Sequence, residues 1–283
     1  MAAIHDEGVL PRRASNRPGD PGLYFSSSVP QSEVKAAVGL IHGYAEYGAR
    51  YAHVIDAWAE RGIATITIDL RGHGHAQGSR GFCERFSQYL DDAAELVPLV
   101  AERAPGAPAF LFGHSLGGLI AASFALSAPS PWRGLVLSAP YFGLALEVPR
   151  ATLLVGKVAS RLSPKLGQSS GLRGADLTHD AARAQAYDDD PLIFKTVTSR
   201  WFTETRKGQA LALAQASSLA MPLYVVMGTA DRVASVASAR AFFDAVGSTD
   251  KTWDARDGLF HEVLNEPDWR AIADRIAEWI LGH

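Results

Sequence analysis

The chain has 283 residues, 47% hydrophobic and 20% charged, with a formal net charge of −3, which suits one large α/β domain or a core domain with an inserted subdomain and leaves no electrostatic footprint for nucleic acid. Cys83 is the only cysteine, which excludes an internal disulfide and a thiolate metal cluster. No stretch reaches the roughly 18 apolar residues of a membrane span, and "MAAIHDEGVLPRRASNRPGDPG" lacks the apolar run of a secretory signal, so a cytoplasmic chain without a transmembrane segment is expected.

From Ala36 onward, short apolar or β-branched runs alternate with longer amphipathic segments, the pattern of a parallel sheet covered by helices. "AAVGLIHG" reads as a strand ending in a glycine turn, "RYAHVIDAWAERG" as a helix stopped at Gly62, and "IATITIDLRGHG" as a strand running into a Gly-rich loop. "FSQYLDDAAELVPLVAERAPG" reads as one helix, "PAFLFGHS" as the next strand and "LGGLIAASFALSA" as the helix after it. "RGLVLSAP" is a further strand, where the alternation stops. Residues 141–220 hold helix-like pieces, among them "RATLLVGKVASRL" and "DPLIFKTVTSRWFTETRKGQALALAQASSL", separated by Gly/Ser/Pro-rich turns. They predict a mainly helical cap over 141–220, inserted into a core domain of residues 1–140 and 221–283. The rhythm resumes with the strand "PLYVVMGTAD", the helix "SVASARAFFDAVG", the strand "KTWDARDG" and a final helix, "DWRAIADRIAEWILG".

In "GHSLG", Gly113 and Gly117 flank Ser115 where an apolar strand gives way to a helix. A sharp strand-to-helix turn has no room for side chains at those two positions, so the pentapeptide matches the GxSxG nucleophile elbow, although the spacing also arises by chance in Gly/Ser-rich loops. A serine hydroxyl is a weak nucleophile at neutral pH and needs an imidazole to take its proton and a carboxylate to orient that imidazole. Asp231 follows the strand "LYVVMGTA", and His261 lies in "GLFHEVLNEP" before the last helix. Taken singly, an aspartate after a strand is commonly a turn former and a loop histidine commonly solvated. Their order after a correctly placed elbow makes Ser115, Asp231 and His261 the expected triad. For the oxyanion, the N–H of Leu116 follows the nucleophile, and the turn "LIHGY" offers that of Tyr44.

Other clusters carry less. His42 sits at the oxyanion turn and suits a structural hydrogen-bonding role rather than that of a rival base. His73 and His75 in "RGHGHAQG" lack both HExxH spacing and companion carboxylates, so we expect no metal there. In "YDDDPLIF", Asp190 before Pro191 is expected to cap a helix rather than bind an ion. The segment 151–162 has an apolar face interrupted by Lys157 and Arg161. We expect that face to pack on the core or close a pocket rather than rest on a lipid surface, the transient contact it would also allow.

Seven stretches, "HGYAEYGARY" (42–51), "DLRGHGHAQGSRG" (69–81), "GHSLGG" (113–118), "LSAP" (137–140), "DDDPLIF" (188–194), "GTADRV" (228–233) and "DGLFHEVLNEP" (257–267), resemble in order the monoacylglycerol lipase and lysophospholipase group of serine hydrolases. The resemblance spans about residues 38–270. It implies an α/β-hydrolase fold with a mostly parallel central sheet flanked by helices, no cofactor, and a small lipid ester as substrate beneath the cap. It implies cleavage of monoacylglycerols to fatty acid and glycerol through an acyl-enzyme; the alternatives are a lysophospholipase or a general short-chain carboxylesterase. By motif position it carries the catalytic roles to Ser115, Asp231 and His261, the oxyanion donors to Tyr44 and Leu116, and a polar brace of the oxyanion loop to Glu46 and Arg50. The chain departs from the family at Tyr44, Tyr47, His75 and Ala76. A phenol at 44 would narrow or re-line the acyl pocket.

Overall fold

The structure, a computed structural model, describes residues 3–10, 12, 19–127, 131–146 and 148–283. Most of residues 11–18, within the stretch inspected for a secretory signal, lie outside the described residues, as does Ala128 at the end of one expected helix. In chain order come strands β1 (Ala3–Leu10), β2 (Leu23–Pro30) and β3 (Ala36–Ile41), helix α1 (Ala52–Ala59) and strand β4 (Ile63–Asp69). Helices α2 (Ser87–Ala94) and α3 (Leu96–Arg103), strand β5 (Ala109–His114), helix α4 (Leu116–Ser127) and strand β6 (Gly134–Ser138) follow. The chain then leaves the sheet for α5 (Arg150–Leu162), β7 (Gly167–Ser169), α6 (Ala181–Asp189), β8 (Thr196–Thr198) and α7 (Ser199–Gln215). It returns with β9 (Leu223–Gly228), α8 (Val236–Ala245), β10 (Lys251–Arg256) and α9 (Trp269–Gly282).

Eight strands form one sheet in the order β1-β2-β4-β3-β5-β6-β9-β10. All pairings from β4 to β10 are parallel, and the β1–β2 hairpin joins β4 antiparallel. Strands β3, β4, β6 and β9 are buried along their whole length, as continuous apolar runs require when helices cover both faces. One face packs against α2, α3, α4, α7 and α8 through residues such as Leu96, Leu119, Trp201 and Phe242. The other packs against α1 and α9 through Trp58, Ile272 and Ile276, where the Trp58 indole also donates to the Ala273 carbonyl at 2.9 Å.

Register decides where the chemistry gathers. Ile41 pairs with Gly113 and Gly113 with Leu137, while Ser138 pairs with Val226 and Gly228 with Arg256. The carboxyl ends of β3, β5, β6, β9 and β10 therefore align, and the loops carrying His42, Ser115, Asp231 and His261 leave along one edge, where parallel α/β sheets place their sites.

Three expectations need correction. The segment 86–106 is two helices, because Pro98 has no N–H to give the carbonyl of Ala94 and its ring crowds that carbonyl. The long helix begins at Ser199 rather than near Asp190, with the Thr198 hydroxyl accepting the Trp201 N–H as its cap. Asp190 caps no helix start: it ends α6, accepts the Leu192 N–H in a local turn and receives the Tyr47 hydroxyl. The hairpin β1–β2 is an addition at the sheet edge that the alternation beginning at Ala36 did not indicate.

Candidate active site

Ser115 sits between β5 and α4 with φ +51°, a left-handed conformation that costs a non-glycine residue roughly 1–3 kcal/mol. Three backbone bonds hold it there. Its N–H donates to Ser138 O at 2.9 Å, and its carbonyl accepts from Leu119 and Tyr141 at 3.1 and 3.0 Å. The flanking glycines are steric requirements: a Cβ on Gly113 would lie 2.3 Å from the Gly117 carbonyl oxygen, and one on Gly117 would lie 2.2 Å from that of Ile41.

The structure brings the three triad candidates together in line. Ser115 Oγ lies 2.9 Å from His261 Nε2, and His261 Nδ1 lies 2.7 Å from Asp231 Oδ2. The other Asp231 oxygen accepts the N–H groups of Val233 and Ala234 at 2.7 and 2.9 Å, so the carboxylate cannot swing from the imidazole without losing both. All three side chains are buried. Burial works to lower the His261 pKa, but the charge and hydrogen bond of Asp231, helped by Glu262 and Glu46, outweigh it, and the net shift is upward from 6.5. Beside it His114, its ring centroid 4.9 Å from that of His261, is pushed down to about 4 by burial and by His261 itself. One imidazole is thereby prepared to hold a proton and its neighbour is kept neutral.

Both oxyanion candidates face the same cavity as Ser115. Leu116 opens α4, where first-turn N–H groups have no intrahelical acceptor. At the other side, Glu46 takes the N–H of Gly43, the residue before Tyr44. His42 accepts the Leu70 N–H on Nε2 at 3.0 Å, so Nδ1 carries the proton and donates to the Gly43 carbonyl at 2.7 Å. Both bonds tie its ring to the turn after β3.

The departures from the family pattern have visible partners. The Tyr44 hydroxyl donates to Thr196 O at 2.7 Å, and its ring lies 3.9 Å from that of Trp201. Tyr47 reaches Asp190 at 2.7 Å. Both tyrosines thus tie the loop after β3 to the segment between β6 and β9. His73 is buried and donates from Nδ1 to Arg71 O at 2.9 Å, while His75 is half exposed near Asp69. Asp188, Asp189 and Asp190 take separate partners in Lys195, Gln185 and Tyr47.

The cavity has a volume of about 550 Å³. Tyr141, Leu144, Leu177, Trp201 and Phe202 supply much of its wall, and α5 contributes Thr152, Val155, Gly156 and Ala159, positions on one helical face. Part of the apolar face of α5 therefore borders the cavity, and Val155 on that face stays exposed together with Leu154, Val158 and Leu162. Among the described residues no helix is long and apolar enough to cross a membrane, and no group of His, Cys, Asp and Glu could hold a metal ion.

Glu262 is the polar residue that sequence reasoning passed over, although it adjoins His261. Arg50 donates to both of its oxygens at 2.7 and 2.9 Å and to Glu46 at 2.6 Å. Burial would raise the Glu262 pKa, but Arg50 outweighs it and brings it down to about 2.

Residues 32–268 match the family model described as serine aminopeptidase, S33. A monoacylglycerol lipase from Mycolicibacterium smegmatis is 31% identical over 94% of this chain and 95% of that relative. The phospholipase YtpA of Bacillus subtilis is 31% identical over 82% of this chain and 90% of its own length. Among solved structures, the monoacylglycerol lipase of Paleococcus ferrophilus superposes with a TM-score of 0.79 at 25% identity, with all of both chains covered. The chain belongs to the serine aminopeptidase S33 family of serine hydrolases on the α/β-hydrolase fold.

Proposed function

We propose that this protein hydrolyses monoacylglycerols to fatty acid and glycerol. The observation that carries this reading is the in-line chain Ser115–His261–Asp231 opening on an apolar cavity. Ser115 Oγ attacks the ester carbonyl carbon while His261 Nε2 takes its proton. The carbonyl oxygen, now an oxyanion, receives the N–H groups of Tyr44 and Leu116, each such donor typically contributing about 10²- to 10³-fold in turnover. Collapse breaks the bond to the alcohol oxygen, which leaves with the proton from His261, and glycerol departs. Water then attacks the acyl-enzyme with His261 again as base, the acid is released and Ser115 regains its proton.

Residues 141–220 serve in this reading as a cap whose apolar walls hold the acyl chain, with the exposed face of α5 free to touch a lipid surface. Every oxygen of Glu46 and Glu262, the carboxylates that line the cavity, already accepts from Arg50, Gly43, Tyr51 or Asn265, so neither offers a vacant oxygen to the ammonium of a peptide N-terminus. An ester therefore suits the pocket better than an aminopeptidase substrate. We place the enzyme in the cytoplasm, where a chain with one cysteine needs no disulfide framework.

A hydrolysis panel tests the reading: p-nitrophenyl esters of increasing acyl length, 1- and 2-monoacylglycerols and lysophosphatidylcholine, with Ser115→Ala as the blank. Monoacylglycerols are expected to turn over fastest, and Ser115→Ala to lose about 10⁴-fold or more while keeping its fold. Preference for lysophosphatidylcholine would reassign the substrate, and full activity in Ser115→Ala would remove that serine from the reaction.

A further inference from the structure

Arg50 and Glu262 stand 212 positions apart in the chain and meet as a bidentate pair. The contacts continue on both sides. Arg50 also donates to Glu46, whose other oxygen accepts the Gly43 N–H and the Tyr51 hydroxyl at 2.7 Å. Glu262 additionally accepts from Asn265 Nδ2 at 2.7 Å. All three charged side chains are buried or nearly so, at 11% exposure for Arg50, 4% for Glu46 and 6% for Glu262.

Two carboxylates share one guanidinium, which leaves one negative charge in excess beside the base. Removing several charges from water is costly, and a buried triad of this kind is commonly no more stable than apolar residues of the same volume. Stability alone therefore does not account for it.

We propose that Glu262 is a positioning residue for the ester hydrolysis, clamping the loop of His261 to the oxyanion loop through Arg50 and Glu46 and supplying negative charge that favours the imidazolium formed during the reaction. It rests on the preceding assignment of Ser115 and His261. The clamp sets the distance between the group that takes the proton and the N–H groups that receive the oxyanion, two elements whose relative placement a small error would spoil.

The carboxylates facing His261 all favour its cation, against the positive charges of Arg50 and Arg232. Asp231 lies on Nδ1 and Ser115 on Nε2, His114 lies against the ring, and Glu262, Glu46 and Arg50 come from the clamp; Arg232 borders the same cavity. After burial, which disfavours the cation, Asp231 is the largest influence in its favour, followed by Glu262 and then Glu46. Neutralising Glu262 therefore lets His261 stay unprotonated to lower pH.

The test compares the wild-type chain with Glu262→Gln, Glu262→Asp and the surface control Glu278→Gln. It reads the pH dependence of kcat/KM on a p-nitrophenyl ester and the titration of the His261 Nδ1 proton by NMR. Glu262→Gln, which keeps the shape and removes the charge, is expected to move the acid limb and the His261 titration down by about half a pH unit or more, with kcat about tenfold lower. Glu262→Asp is expected to restore the midpoint towards wild type without restoring kcat, and Glu278→Gln to change neither. Wild-type midpoints in Glu262→Gln, with only stability or KM altered, would overturn the proposal. Should that variant fail to fold by circular dichroism, Glu46→Gln breaks the same clamp one link away and must shift the midpoint in the same direction. A wild-type chain inactive on every ester would refute the hydrolase reading, while the NMR titration would still decide whether Glu262 acts on His261.

Discussion

Ser115 combines a strained φ with a hydrogen bond from its side chain to a histidine whose affinity for a proton is raised. The pH dependence of the reaction follows from that shift. His261 must be neutral to accept the Ser115 proton, so kcat/KM should fall on the acid side with a midpoint above 6.5, the ordinary histidine value. A pH–rate profile on a neutral ester checks this, and a midpoint below 6.5 would contradict it. The convergence of Ser115, His261 and Asp231 was legible in the sequence because each follows a strand and the elbow glycines mark the turn. Glu262 was not: its importance comes from Arg50, and nothing local announces a partner 212 positions away. Tyr44 was legible as a departure, but its bond to Thr196 depends on how the segment after β6 returns over the sheet.

Among the elements, the elbow is a tight junction, since α4 leaves β5 with Gly117 against the carbonyl of Ile41 at the end of β3. Gly117→Ala would force its Cβ against the carbonyls of Ile41 and His42, in the turn that leaves β3. A loss of about 3 kcal/mol in stability, read as a lower urea midpoint, is expected together with loss of esterase activity. An active variant of wild-type stability would show that the turn can open. Most strands were legible because β3, β4, β5, β6 and β9 are continuous apolar runs. The edge hairpin was missed because β2 carries "SSS", where packing and pairing rather than propensity choose the strand. Helix ends failed where Pro98 and the Asp190–Pro191 turn overrode periodicity.

For the molecule as a whole, two buried histidines contribute to the acid side of stability. Burial first, and then a neighbouring histidine, holds His73 down to about 3 and His114 down to about 4. An unfolded chain would protonate both near 6.5, so between 6.5 and the folded values it binds protons that the fold refuses. Their contribution is complete above 6.5 and falls with pH, by at most about 1.4 kcal/mol per pH unit for each. His261 runs the opposite way, its contribution complete below 6.5 and lost as pH rises through its raised folded value. Urea midpoints should therefore decline from pH 6.5 towards pH 4; midpoints that stay flat over that range would show that one or both rings protonate without cost. The overall architecture was legible from alternation, whereas the return of α7 onto the core through Trp201 and Ala212 was not, because it depends on long-range packing. The measurement that bears most directly on the whole account is peptide mass spectrometry of protein quenched in acid during turnover of a monoacylglycerol. The fatty acyl group should be found on the peptide that contains Ser115; turnover with that peptide unmodified and the acyl group on another residue would contradict the mechanism.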